Sequence, residues 1–196
     1  MLGIHRVPSR RPGEPDRYAA KLADEGEMAL WQFSFHLVPR TVLLHSFGVV
    51  PCQITGDEFA SLTSWTQVNR EELEGRIGQI LPINPDQSFI QMRLWGTFEE
   101  NRIELIDDDN GACAEIYGRF DLRELKQELV IGVLGFAQAY DALLLTSDLN
   151  VIEPRLDCVV QAIMESRAFA FVSDPRGFIE DFARENQSAD AEGRHN

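Results

Sequence analysis

Three cysteines in 196 residues, Cys52, Cys113 and Cys158, are too few and too scattered for a disulfide framework, a zinc knuckle or a redox pair. They read as buried small hydrophobes. Histidine is equally sparse: His5, His36, His45 and His195 leave little from which to assemble a His-based triad, because His5 and His195 sit at the chain ends. No phosphate-cradling glycine loop, dinucleotide fingerprint, nucleophile elbow or H-E-x-x-H helix occurs. No stretch approaches the roughly 18–20 consecutive apolar residues that span a bilayer. The first residues carry arginines but lack the apolar core of a secretory signal. These absences argue against a motif-bearing enzyme, against a cofactor or metal, and against a membrane protein, and the expected location is cytoplasmic.

Positive charge is also scarce. Lys and Arg number 18 against 32 Asp and Glu, a formal net charge of −14. Residues 1–27 hold five of each sign, so the surplus belongs wholly to the rest of the chain. Such an excess repels phosphate backbones and anionic lipid heads, which excludes nucleic acid and membrane surfaces as partners. It serves solubility, or it steers a basic protein into contact.

What is present is an ordinary globular composition, 44% hydrophobic, enough for a core of its own. Residues 1–27, with three prolines and no apolar period, read as a flexible arm, an upstream extension ahead of Met28. Residues 28–182 read as a single α+β domain, a mostly antiparallel sheet with several packed helices. Residues 183–196 read as a disordered polar tail. Trp31, Phe33, Phe35 and Leu37 alternate with Gln32, Ser34 and His36, the pattern of a strand buried on one face and wet on the other. A helix is expected over Thr41 to Phe47, a turn of helix capped by Asp57, and a helix begun by Asn69 and Glu72 with Leu73, Ile77, Ile80 and Leu81 inward. Ile90, Met92 and Leu94 alternate as a strand, and Asn110-Gly111 closes a hairpin between strand-like runs at Arg102 to Ile106 and Ala112 to Phe120. Further on, Glu124 to Tyr140 reads as helix, with Leu125 among its inward residues. Ala142 to Thr146 and Val151-Ile152 read as strands. Arg155 to Arg167 reads as helix with Leu156, Val159, Val160, Ile163 and Met164 facing inward, Phe169 to Val172 as an edge strand, and Asp174-Pro175 as the start of a last helix.

Two clusters invite a functional reading. Glu99, Glu100, Glu104, Asp107, Asp108 and Asp109 gather around the predicted hairpin as a candidate face for a basic partner. A calcium loop is excluded, because counting from Asp107 puts Ala112 at the sixth position and Gly118 at the twelfth. In Arg119-Phe120-Asp121-Leu122-Arg123 an extended backbone places Arg119 and Arg123 on either side of Asp121, an arrangement that either locks itself or grips an anion.

Taken in order, Leu94-Trp95-Gly96, Asn101-Arg102-Ile103-Glu104, Arg119 to Arg123 and Ser166-Arg167-Ala168-Phe169 give the chain a look that resembles a group of small uncharacterised bacterial proteins over about residues 28–182. That resemblance implies no function and no residue role. The expected function is a non-catalytic, acidic protein-binding module, an immunity- or antitoxin-type inhibitor of a basic protein. The alternatives are a small-anion-binding sensor or accessory domain, or an enzyme of unrecognised type. No cofactor is expected, and no oligomeric state is legible.

Overall fold

The computed structural model describes residues 30–62 and 65–180. Six antiparallel strands form one sheet in the order β2-β3-β4-β1-β5-β6. They are β1 (Gln32–Pro39), β2 (Met92–Gly96), β3 (Arg102–Asp107), β4 (Cys113–Asp121), β5 (Ala142–Thr146) and β6 (Val151–Ile152). The helices are α1 (Arg40–Phe47), α2 (Gly56–Ser61), α3 (Arg70–Ile77), α4 (Gln127–Ala139), α5 (Leu156–Met164) and α6 (Arg167–Ser173), followed by helical residues 175–180. This is the expected α+β architecture with an antiparallel sheet. The arm and tail expected at 1–27 and 183–196 lie outside the described residues.

Although β1 comes first in the chain, it sits between β4 and β5, so its side chains meet both halves of the sheet. Phe33, Phe35 and Leu37 enter the main core with Ile103, Leu105, Ile116 and Phe120, beneath α4 and α5. Phe35 packs 4.8 Å from Phe120, and its ring lies across Gly118, where a Cβ would stand only 2.3 Å from it. Glycine at 118 is the space that lets this ring lie flat on the sheet. Each side chain so buried contributes about 1.5–3 kcal/mol of transfer free energy. On the opposite face, Val38, Leu143 and Leu145 form a second core with Leu43 of α1 and with Ile54. β5 is therefore apolar from Ala142 to Leu145, because both of its faces are covered.

Several expectations are corrected. The polar side of β1 is not wet: Gln32, Ser34 and His36 are all buried. Residues Phe169 to Val172 belong to helix α6, because the Ser166 hydroxyl accepts from Phe169 N and caps a helical turn. Thr55, not Asp57, caps α2, through a reciprocal box with Glu58. Of the five α5 residues expected inward, Val159 and Ile163 are buried, while Leu156, Val160 and Met164 face out. Leu125 precedes α4 and is exposed, as is Cys52. Asn69 does cap α3, accepting from Glu72 N, and Asp174 caps the last helical residues through Gly177 N.

Candidate functional site

The six acidic residues chosen from the sequence do not make one face. Glu99 and Glu100 are exposed in the β2–β3 turn, whereas Asp108 and Asp109 lie in the β3–β4 turn at the other end of β3. At about 3.3 Å per residue, that strand holds the two turns roughly 20 Å apart. Between them, Glu104 is buried against Arg102, its Oε1 2.6 Å from Arg102 Nε. Asp107 closes β3 rather than opening the turn. Its side chain is 3% exposed and ion-paired with Arg70 of α3 at 2.6 Å. Two carboxylates of the expected face are therefore internal.

The β3–β4 turn is built by Asp108, whose Oδ1 accepts from Asn110 N and Ala112 N, while Gly111 supplies the left-handed φ of 79°. The Ala112 hydrogen bond first, then those of Asn110 and Gly111, outweigh desolvation and hold the Asp108 carboxyl below its ordinary range. The charge at this turn is therefore permanent at neutral pH.

Beside it stands a feature that the sequence pattern concealed. The chain from Pro82 to Met92 folds back along the outer edge of β2, with Gly96 N donating to Pro82 O, Asn84 N to Leu94 O and Phe89 N to Met92 O. The edge strand is blunted in this way. The turn ends in Phe89, 65% exposed, and Ile90, 97% exposed. With Ile83, Pro85 and Met92 they line an open groove. Asp107 N donates to Gln91 O at 2.9 Å, which fixes this apolar tip against the Asp108–Asp109 turn. Alternation assigned Ile90 to the strand. The signal against that was the breaker cluster Asn84-Pro85-Asp86, which sends the chain into a tight 3-10 turn at Pro85–Gln87 just before Phe89.

The second grouping lies on the sheet face opposite the main core. In register across β1, β4 and β3 stand Ser34, Arg119 and Arg102, and beside them His36, Tyr117 and Glu104. The Tyr117 ring is a shared platform: the guanidinium of Arg119 lies 5.3 Å from its centroid, that of Arg102 5.9 Å and the His36 ring 5.0 Å. His36 Nδ1 approaches Glu115 Oε1 to 2.9 Å. Burial first, and the nearby Arg119 charge, depress the Arg102 pKa against the opposing pull of Glu104.

Arg119 and Arg123 are not brought together around Asp121. Arg123 takes Asp121 for itself, with Nε 3.0 Å from Oδ1 and Nη2 2.5 Å from Oδ2, and stacks 4.3 Å over Trp31. Arg119 turns to neutral oxygens, donating from Nε to Tyr117 Oη at 2.5 Å and from Nη1 to Gln32 Oε1 at 3.0 Å. For Asp121, desolvation alone would raise the pKa, but the side-chain and backbone hydrogen bonds and the charge of Arg123 bring it below the ordinary value.

Over residues 30–180 the chain has eleven Lys and Arg against twenty-three Asp and Glu. At least seven of those cations, Arg40, Arg70, Arg76, Arg102, Arg123, Arg155 and Arg176, are engaged by carboxylates of the same chain. The uncompensated charge that remains on the surface is therefore overwhelmingly negative. Among the described residues, no three His, Cys, Asp or Glu side chains converge as metal ligands, and no helix is long and apolar enough to cross a membrane. No protein-family model, curated protein or solved structure matches the chain.

Proposed function

We propose that the chain is a non-catalytic protein-binding module for a basic partner, docking through the sheet end that carries Phe89, Ile90, Asp108 and Asp109. One observation carries this reading: two large apolar side chains, 65% and 97% exposed, are fixed beside a turn with permanent negative charge. Exposed aromatic and aliphatic anchors with a charged rim are the usual anatomy of an interface hot spot. Burying Phe89 and Ile90 supplies affinity, and the acidic rim supplies steering and selection for a partner with Lys and Arg around an apolar socket. The intrachain pairing of most arginines supports the same reading, because it leaves few cations to repel such a partner, Arg93 in the groove lining being one of them. An immunity- or antitoxin-type inhibitor, covering a basic active surface by stoichiometric binding, is the form that fits a small acidic module.

The test is affinity capture from host extract on the full chain, with Phe89→Ser/Ile90→Ser and Asp108→Asn/Asp109→Asn variants as parallel baits. The expected result is a stoichiometric basic protein that the tip variant loses and the turn variant holds more weakly, with binding that declines as salt rises. A partner retained equally by all three baits, or held independently of salt, refutes this docking face.

A further inference from the structure

Arg102 and Arg119 are directly opposite each other across β3 and β4. Like charges so placed are destabilising unless something compensates them. Arg102 has its compensation in Glu104. Arg119 has none: its hydrogen bonds go to Tyr117 Oη and Gln32 Oε1, and among the described residues no carboxylate lies within ion-pair distance of it. This happens in a chain with 32 Asp and Glu against 18 Lys and Arg, where carboxylates engage most other described arginines.

The surroundings also fix Arg119 in place. Gln32 Nε2 donates to the carbonyls of Phe98 and Glu99, which orients its Oε1 toward the guanidinium. The Tyr117 ring and phenolic oxygen hold the guanidinium from below and from the Nε side. Neither hydrogen bond uses Nη2, so that edge of the fork remains available as a donor. Arg102 stands opposite it across the β3–β4 ladder, its guanidinium 4.6 Å from the Phe98 ring.

We infer that Arg119, backed by Arg102 and positioned by Gln32 and Tyr117, binds a small oxyanion, a carboxylate or a phosphate group. A guanidinium held with a donor edge outward is suited to planar or tetrahedral oxyanions. The half-buried setting strengthens the attraction relative to water. The net charge of −14 limits the ligand to a small anion, because a polyanion would be repelled by the surface around the site. Arg123 plays no part, since Asp121 satisfies it.

The full chain is melted at constant ionic strength in sodium phosphate, sodium acetate or sodium chloride. A rise in melting temperature with phosphate alone or acetate alone identifies the ligand group, and a rise with both supports the shared oxyanion chemistry. In each case Arg123→Gln retains the rise and Arg119→Gln abolishes it. If Arg119→Gln does not fold, isothermal titration compares wild type with Arg119→Lys, for which at least tenfold weaker binding of the same anion is expected. No rise with either anion beyond the chloride control, or a rise unchanged in the Arg119 variants, overturns the site.

Discussion

Replacing Arg70 by methionine keeps an apolar stem across the contact but removes the charge that faces Asp107. The Asp107 side chain is 3% exposed, and its Oδ1 makes no hydrogen bond among the described residues, so the 2.6 Å contact with Arg70 is its principal compensation. Breaking a fully buried pair from one side costs about 3–5 kcal/mol. Arg70 is 30% exposed, so water reaches the gap it leaves and reduces that cost. A loss of about 2–4 kcal/mol is expected, a fall in melting temperature of roughly 5–15 °C for a domain of this size. Urea unfolding of wild type, Arg70→Met, Asp107→Asn and the double variant measures it. Asp107→Asn in the Arg70→Met background should recover much of the loss, because it removes the stranded charge. Strictly additive single effects, or a loss below about 0.5 kcal/mol for Arg70→Met, would show that Asp107 does not depend on this pair.

Three further outcomes are expected. Gly118→Ala drives a methyl into the Phe35 ring and should destabilise by about 1–3 kcal/mol, with partial rescue by Phe35→Leu; chemical denaturation of the two variants checks it. With a thiol reagent at pH 8, exposed Cys52 should react at once, whereas Cys113, whose pKa burial pushes up to about 12, should react only on unfolding. The Asp121 carboxyl titrates lower in the folded than in the unfolded chain, so its contribution is present above about pH 4 and is lost as pH falls through the folded value. Arg123→Gln should therefore melt below wild type at pH 7 and converge with it as pH falls below the folded value; a gap that persists once the carboxyl is protonated would contradict this.

Much of the scaffold was legible because it depends on local signals. Alternation located β1, the Asn110-Gly111 turn located the β3–β4 hairpin, and the unbroken apolar run of β5 marked a strand covered on both faces. What failed depends on tertiary neighbours. His36 lies on a polar stripe that reads as solvated, yet Phe59, Tyr117 and Glu115 close over it. Residues 169–172 carry a strand-like composition, but the cap at Ser166 decides for helix. The acidic cluster was read along the chain as one patch, whereas a strand separates its ends and α3 draws Asp107 inside. Of the anion pair, only Arg119 remained unclaimed by a carboxylate among the described residues, because Asp121 pairs with Arg123 while Arg119 turns to Tyr117 and Gln32. Ile90 fitted an alternating pattern perfectly well. Only the backbone course after Pro85 shows that it is a surface knob.

The most direct measurement of the proposed docking face is a binding titration of the captured basic protein against wild type and Phe89→Ser/Ile90→Ser at two salt concentrations. Both side chains are already exposed, so the variant should fold and melt within about 0.5 kcal/mol of wild type. Weakening by at least a hundredfold, together with a wild-type affinity that falls as salt rises, is the expected result. Equal affinity of the two proteins for that partner would contradict it.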